Sequence, residues 1–161
     1  MRPLKLVVKG FKPFKSRQEI DFSPLNFFVI RGPTGSGKTS LLEAMVFALF
    51  GETPEKLHQE ELINRNSDGF YIDFTFSVGD TVYRIERSRR LGKSGEVRFY
   101  VNGVKRATRA DTIKREIRNL LGVNAKQFKK IFYLPQGRYA EFFNSEPAQR
   151  RELIVSLLDL D

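Results

Sequence analysis

Eight consecutive residues carry the pattern with the clearest chemistry in this chain: Gly32, Pro33, Thr34, Gly35, Ser36, Gly37, Lys38 and Thr39. The pattern is G-x-x-x-x-G-K-[ST], in which backbone N–H groups close around the phosphates of a nucleotide. Glycine permits that close approach, Lys38 can reach the β- and γ-phosphates, and the Thr39 hydroxyl can ligate Mg²⁺. The pattern predicts a nucleoside triphosphate site, and the alternative is a glycine turn that caps a core helix.

The segments on either side of this loop have the composition that such a site requires. Residues 26–31 (NFFVIR) form a short run of aromatic and β-branched residues, which predicts a strand. Residues 40–50 (SLLEAMVFALF) are apolar on almost every side, which predicts a buried helix. A strand, a glycine loop and a helix in this order place the positive end of the helix dipole at the phosphates.

The composition is that of an ordinary globular domain. The chain has 161 residues, of which 40% are hydrophobic and 29% charged, and it contains no cysteine. A disulfide framework and a thiolate metal site are therefore excluded. No run approaches the roughly 20 apolar residues of a membrane helix. No export signal is recognisable, so we expect a cytoplasmic protein with no membrane partner.

Positive charge is concentrated in one part of the chain. The net charge is +9, and residues 84–115 contain eleven Lys and Arg side chains against three acids. A basic surface suits a polyanion such as nucleic acid, and the alternative is a solvated surface rich in Lys and Arg.

Two short strands are predicted before the glycine loop, at residues 4–11 and 18–22. The segment that joins them, residues 11–17, carries three cations and two aromatic rings. Such a loop could contact a phosphate and a base, or it could simply join the two strands.

Residues 70–101 predict an antiparallel meander of three or four strands. Phe70, Ile72, Phe74, Phe76 and Val78 alternate with polar residues, which predicts an aromatic inner face. Turn residues follow at 79–80, 92–95 and 102–103. The outer face and the hairpin tips are predicted to carry the cations, namely Arg84, Arg87, Arg89, Arg90, Lys93, Arg98, Lys105 and Arg106.

Helical periodicity follows the meander. Residues 110–121 predict an amphipathic helix with Gly122 as its C-cap, and residues 125–130 predict a further helical turn. A second apolar run at 131–134 is broken by Pro135, Gln136 and Gly137. A final helix is predicted from about residue 145, and because no breaker ends it we expect the chain to be a fragment of a longer protein.

Several stretches, taken in order, resemble one family. They are MRPLKLVVKGFKPF, FFVIRGPTGSGKTSLLEAMVFALFGETP, LINRN, VYRIERSRR and FYLPQGRYAEFF. Over residues 2–158 the chain resembles the N-terminal ATPase half of SbcC-type exonuclease subunits. That family belongs to the SMC-like branch of the ABC ATPases and acts in DNA double-strand-break repair.

The resemblance implies an α/β P-loop NTPase fold, the N-terminal half of an ABC-type head. This fold would combine a mixed sheet, an antiparallel β-meander and helices around the phosphate-loop helix. Residues 1–147 would form this half of the head, and residues 148–161 would begin the helix that leads into a long coiled coil. The serine-glycine signature, the acidic Mg²⁺-binding strand with the catalytic glutamate, and the switch histidine would lie in a C-terminal half.

The resemblance also implies which residues form the site. ATP with Mg²⁺ would contact Lys12, the loop from Gly32 to Thr39, Ser40 and Gln136. Thr39 and Gln136 would be the metal ligands, since hydroxyl and amide oxygens suit Mg²⁺. Lys38 and Gln136 would contribute to catalysis, but no complete catalytic set lies in this chain. Lys12 stands where the family often has arginine, and lysine cannot make a bidentate fork.

The implied partners are the C-terminal half of the same head, a second head in an ATP-dependent dimer, a nuclease of the SbcD type and double-stranded DNA. The protein would then be cytoplasmic and associated with the nucleoid. The chain itself lacks the His and Asp clusters of a two-metal nuclease. The candidate DNA contacts are Arg89, Arg90, Lys93, Lys105, Arg106, Arg109 and Arg115.

Other functions remain open at this point. Another SMC-like or RecF-like ATPase of DNA repair or chromosome maintenance would share most of these features. A P-loop kinase or GTPase should show a nucleoside-specificity or lid motif, and none is found in the sequence. A nucleic-acid-binding module with a vestigial nucleotide site is disfavoured by the intact Lys38 and Thr39.

Overall fold

The structure is a computed structural model that describes residues 1–22, 38–53 and 56–131, together with Glu146, Ala148 and Gln149. At residues 38–39 and 130–131 it describes the backbone only. The predicted strand at 26–31, the apolar run at 132–134 and the body of the final helix lie outside the described residues.

The described strands form one six-stranded antiparallel sheet in the order β2-β1-β3-β4-β5-β6. Along the chain these strands are β1 (Arg2–Lys9), β2 (Gln18–Asp21), β3 (Gly69–Val78), β4 (Thr81–Arg90), β5 (Glu96–Val101) and β6 (Val104–Ala107). The four strands β3 to β6 are the predicted meander, and the two N-terminal strands extend it on the β3 side.

The hairpin between β5 and β6 shows how local sequence sets the register of the meander. Asn102 and Gly103 have φ angles of 49° and 81°, which are the left-handed values that a two-residue type I′ turn requires. Val101 therefore pairs directly with Val104. The Asn-Gly dipeptide predicts this turn, and the prediction is confirmed.

The α-helices that accompany the sheet within residues 38–131 are α1 (Lys38–Phe50), α2 (Ala110–Leu121) and α3 (Ala125–Ile131). A short 3-10 helix, Gln59–Leu62, lies in the segment between α1 and β3. Helix α1 is buried on every side from Ala44 to Phe50, as its apolar composition predicted. Helix α2 has the predicted limits and ends at Gly122, whose φ of 75° and backbone bond to the Arg118 carbonyl form the expected C-cap.

The core lies between α1 and the inner face of the sheet. Phe70, Ile72, Phe74 and Phe76 are buried along β3, at every second position. Aromatic rings stack along β3, with 5.5 Å between the centroids of Phe74 and Phe76, and across to β4, with 5.4 Å between Phe76 and Tyr83. The predicted aromatic inner face is confirmed.

The prediction that Arg87 and Arg89 lie on the outer face or at a tip is wrong. In β4 the side chains of Tyr83 and Ile85 point to the core, and successive side chains alternate between the two faces. Arg87 and Arg89 follow at the same spacing and must share the inner face. Arg87 is opposite Ile72 and only 6% exposed, and Arg89 is opposite Phe70 and half-buried.

Candidate functional site

The helix that follows the glycine loop carries the lysine of the motif. As described, α1 runs from Lys38 without a break to Phe50. The residues from Gly32 to Gly37, the side chains of Lys38 and Thr39, and Gln136 lie outside the described residues, so their predicted contacts remain predictions. A helix directly after a glycine-rich loop is what a phosphate-binding site requires, because the first N–H groups of such a helix can face the phosphates.

The structure places the loop between β1 and β2 against this helix. The Lys12 ammonium forms an ion pair with the carboxylate of Glu43, in the second turn of α1. Both side chains are largely shielded, with 27% and 14% of their surfaces exposed. Lys12 thus contacts the helix that follows the phosphate loop, and its contact with a nucleotide remains a prediction.

The aromatic rings of the same loop are not available to stack on a base. Phe11 is fully buried and packs against Phe47 and Phe70 at centroid distances of 6.0 and 5.9 Å. Phe14 is partly buried and packs on the core. Contact of this loop with a base is therefore unsupported, and contact of its cations with a phosphate stays a prediction.

The opposite end of α1 is fixed by the buried arginine of β4. Nε of Arg87 donates a hydrogen bond of 2.7 Å to the carbonyl of Ala48, and the guanidinium lies 5.8 Å from the centre of the Phe47 ring. Burial lowers the pKa of Arg87 to about 10, so the group stays charged at neutral pH. A cation at the last turn of a helix faces the negative end of its dipole, which stabilises α1.

Gly51 follows α1 and makes room for this arginine. Its φ is 71°, and a Cβ placed on it would lie 2.8 Å from Nη1 of Arg87. Within the part of the chain that the structure describes, Nη2 of Arg87 and Nε of Arg89 have no hydrogen-bond acceptor. Arg89 instead uses its other nitrogens, which lie 3.2 Å from Oε1 of Gln59 and 3.6 Å from the Glu60 carboxylate.

A groove of about 950 Å³ collects cations from three separate segments of the chain. It lies where β1 ends, β3 begins and β4 ends, because antiparallel pairing sets Lys9 opposite Tyr71 and Gly69 opposite Arg90. Its charged residues are Lys9, Lys15, Arg65, Arg89, Arg90, Lys93, Asp68 and Glu96. Six cations against two carboxylates, on an open surface, suit a polyanion such as a phosphate backbone.

The structure divides the predicted DNA contacts into separate groups. Arg89, Arg90 and Lys93 line the groove, whereas Arg115 lines a second depression of about 620 Å³ beside Lys114 and Arg118 of α2. Arg106 lies 3.5 Å from the Glu116 carboxylate. Lys105 and Arg109 are exposed and line neither of these two depressions.

Sequence reasoning missed three residues of the groove: Lys9, Lys15 and Arg65. They are exposed cations far from residues 84–115 along the chain. The pairing of β1 with β3, and of the loop after β1 with the segment before β3, brings them to the groove. A count of charges along the sequence gives no signal for them. An alignment of β1 with β3, made from the sequence in advance, could have indicated these three residues.

Part of the charge in residues 84–115 is neutralised on the outer face of the sheet. The Arg84 guanidinium donates to both carboxylate oxygens of Asp73, at 2.7 to 3.1 Å, and lies 3.4 Å from Glu86. Glu86 also accepts a 2.6 Å hydrogen bond from the Tyr71 hydroxyl. Burial opposes ionisation of Glu86, but the Tyr71 and Tyr100 hydroxyls and the Arg84 charge together lower its pKa.

Two further features bear on possible partners. None of the described helices is long and apolar enough to cross a membrane. Within residues 1–22, 38–53 and 56–131, no group of three or more His, Cys, Asp or Glu side chains is arranged to hold a metal ion.

Comparison with known proteins gives relatives over the full chain. This chain is 36% identical over 165 residues to the probable DNA double-strand break repair Rad50 ATPase of Aquifex aeolicus, and the match covers all of this chain and 17% of that protein. It is 35% identical over 167 residues to the SbcC component of the nuclease SbcCD from Deinococcus radiodurans, matching 98% of this chain and 18% of that protein. The chain thus spans about a sixth of the length of the curated relatives it matches, and the resemblance to SbcC-type proteins is confirmed.

A solved structure shares the fold. The structure titled recombination mediator protein RecF-ATPrS in the RecFOR pathway matches 69% of this chain and 29% of that chain, with a TM-score of 0.53 and 20% identity. The predicted α/β fold with a β-meander around the phosphate-loop helix is confirmed. A family described as an AAA domain matches residues 5–161. The chain therefore belongs to this AAA domain family.

Proposed function

We propose that this chain is the ATP-binding half of an ABC-type ATPase head. With its C-terminal half and a second head it would hydrolyse ATP to control DNA binding and an SbcD-type nuclease in double-strand-break repair, in the cytoplasm at the nucleoid. The observation that carries the proposal is the ion pair that docks Lys12 onto the helix bearing the lysine of the glycine-rich motif. The relatives described as a Rad50 ATPase and as the SbcC component of a nuclease support the same assignment.

The residues available fit ATP and Mg²⁺. In this proposal the first N–H groups of α1 face the phosphate oxygens, and the Lys38 ammonium adds charge at the β- and γ-phosphates. The Thr39 hydroxyl and the Gln136 amide oxygen would hold Mg²⁺, since both are hard oxygen ligands. When bound, Mg²⁺ neutralises charge that develops on the phosphates.

The chain supplies binding and positioning rather than a complete reaction. Phosphoryl transfer to water depends mostly on positioning and charge stabilisation. In this proposal the loop and Lys38 hold the nucleotide, Lys12 approaches it from the β1–β2 loop, and Gln136 would sense the γ-phosphate through Mg²⁺ and its water. The signature motif and the catalytic glutamate come from the C-terminal half and the second head. Alone, the chain should bind ATP and hardly hydrolyse it.

A reconstitution experiment tests this function. ATP hydrolysis is measured for the chain alone, for a separately produced C-terminal half, and for the two mixed. We expect turnover near background for each half and a clear gain for the mixture. Gln136→Ala should reduce that gain more than it reduces ATP affinity. Robust hydrolysis by the chain alone would contradict the assignment of a half-site.

The groove beside Arg90 and Lys93 is our proposed DNA surface. Its cations come from three separate segments of the chain that meet in one groove, so they form one basic patch. Contacts between cations and phosphates position DNA without specifying sequence. Two unrelated duplexes should therefore bind with similar affinity and with a steep dependence on salt.

Two sets of charge reversals distinguish this groove from the other predicted contacts. In the assembled head, Lys15→Glu, Arg65→Glu and Lys93→Glu together should flatten the slope of log K against log salt by about 3, since each phosphate contact contributes about 0.9. The matched set Lys105→Glu, Arg109→Glu and Arg115→Glu has the same change of charge outside the groove. Fluorescence anisotropy over a salt series measures both. Equal slopes for the two sets would contradict the groove assignment.

A further inference from the structure

Lys12 has a backbone conformation that is unusual for its residue type. Its φ is 50°, in the left-handed region that glycine adopts easily and side-chain-bearing residues rarely do. Such a conformation persists only where neighbouring structure holds it, and it occurs often at binding sites. The contacts that hold Lys12 are therefore informative about its use.

The segment after the 3-10 helix supplies those contacts. The Lys12 N–H donates to the Leu62 carbonyl at 2.7 Å, and Nδ2 of Asn64 donates to the Lys12 carbonyl, also at 2.7 Å. The Asn64 N–H donates to the Gly10 carbonyl at 2.7 Å. Both backbone polar groups of Lys12 are thus bound by residues about 50 positions away in sequence, and the side chain of Asn64 is the one that reaches Lys12.

Asn64 is itself held in a fixed orientation. Its Oδ1 accepts a 2.9 Å hydrogen bond from the N–H of Asn66, which leaves Nδ2 directed to the Lys12 carbonyl. An aspartate at this position could still accept from Asn66, but it could not donate to Lys12. The amide oxygen and the amide nitrogen of Asn64 therefore make separate hydrogen bonds. The isosteric change Asn64→Asp removes only the hydrogen bond to Lys12.

The Lys12 side chain then extends to α1, where its ammonium meets Glu43. Glu43 lies four residues after Thr39, one helical turn along, so the two positions share a face of the helix. The backbone contact with Asn64 and the ion pair with Glu43 together fix both ends of Lys12. Its charge is placed one turn from the end of α1 that follows the phosphate loop.

We propose that Asn64 and Glu43 are positioning residues that set the Lys12 ammonium for contact with the nucleotide phosphates. This inference rests on the proposed function, because it needs ATP at the N-terminus of α1. It gives a role to the LINRN stretch, whose first asparagine is Asn64. Without the contacts of Asn64 and Glu43, the loop around Lys12 would have to become ordered when ATP binds. The chain would then bind ATP less tightly, because the cost of this ordering opposes binding.

The test is a double-mutant cycle on ATP·Mg²⁺ affinity, measured by calorimetry with the full 161-residue chain. Asn64→Asp should weaken binding about tenfold, the change that about 1.4 kcal/mol produces. Lys12→Met should weaken binding by a similar or larger factor. The double variant should bind no worse than Lys12→Met alone, since Asn64 acts through Lys12. The proposal would be overturned if the losses of affinity in the two single variants multiplied in the double variant. It would also be overturned if Asn64→Asp bound ATP as tightly as the wild type.

A charge swap separates positioning from simple stabilisation. In Lys12→Glu with Glu43→Lys the ion pair is restored in reverse, so the melting temperature should return close to that of the wild type. ATP affinity should stay low, because the loop now presents a carboxylate. Recovery of ATP affinity along with stability would overturn the assignment of Lys12 as the contacting charge.

Two controls keep this test separate from the proposed function. Glu19→Gln removes the partner of the exposed Lys5 and Arg17 and should leave ATP affinity unchanged. Lys38→Ala should abolish binding in the wild-type background. If the wild-type chain itself bound no ATP, the proposed function would fail; if it bound ATP while the cycle showed no dependence on Lys12, only the positioning role would fail.

Discussion

Replacement of Arg87 tests whether the fold depends on the guanidinium charge or on the packing of the side chain. Arg87 is almost fully buried, and its Nε donates to the Ala48 carbonyl at the end of α1. Its guanidinium lies over the ring of Phe47. Arg87→Met keeps most of the volume and removes the charge, whereas Arg87→Ala removes both.

The structure gives opposing contributions of similar size for the charge. Burial lowers the pKa of Arg87 from its ordinary value to about 10, so the charged form is disfavoured in the fold. At about 1.4 kcal/mol per pKa unit this cost is about 3 kcal/mol at neutral pH. A hydrogen bond from a charged donor contributes about 1.5–3 kcal/mol, and a cation at a helix C-terminus up to about 2 kcal/mol. The net contribution of the charge should therefore be small.

We expect Arg87→Met to change the free energy of unfolding by about 1 kcal/mol or less. Arg87→Ala should cost about 3 kcal/mol more, because a large buried side chain is replaced by a methyl group. For a chain of this length that difference is about 6–12 °C in melting temperature. Urea denaturation at neutral pH, followed by circular dichroism, measures both variants. If Met proved as damaging as Ala, the charge would contribute far more than this reasoning allows.

Two further predictions follow from neighbouring contacts. Gly51→Ala should cost about 1–3 kcal/mol, since alanine disfavours a φ of 71° and its Cβ would meet Arg87, and the cost should shrink in the Arg87→Met background. Urea denaturation of the two single variants and the double variant measures this, and an unchanged cost would contradict the steric part. The lowered pKa of Glu86 in the fold stabilises the protein above its unfolded-state pKa, and this stabilisation is lost as pH falls through the folded-state pKa. Glu86→Gln should therefore destabilise the protein more at about pH 7 than at about pH 3, and an equal loss at both values would contradict the assignment.

Local periodicity was sufficient to predict most of the described fold. The alternation from Phe70 to Val78, the Asn102-Gly103 turn and the apolar stripe of α2 each specify an element through contacts within a few residues. Such short-range patterns can be recognised from the sequence alone. The limits of α2 agree for this reason, as does the all-round burial of the second half of α1.

Charge was less predictable, because cations were assumed to face solvent. Arg87 and Arg89 continue the inner-face register of Tyr83 and Ile85, and the period of two should have outweighed their charge. The groove was out of reach for a different reason. Lys9, Arg65 and Lys93 are distant in sequence and meet only through the pairing of β1, β3 and β4.

The role of Asn64 shows the same limit. The LINRN stretch contributed to the family resemblance, but its sequence does not indicate a hydrogen bond to a residue 52 positions earlier. The nucleotide site itself was predicted from one local motif. The ion pair of Lys12 with Glu43 extends that prediction, because it shows from which side of α1 a second cation would approach the predicted nucleotide.

Calorimetric titration of ATP·Mg²⁺ into the wild-type chain and into Lys38→Ala is the most direct test of a nucleotide site at the start of α1. Removal of the Lys38 ammonium takes away the charge that faces the β- and γ-phosphates and leaves the fold in place. We predict measurable binding by the wild type and none by the variant, with identical circular dichroism spectra. Equal affinity of the two proteins for ATP would contradict the account.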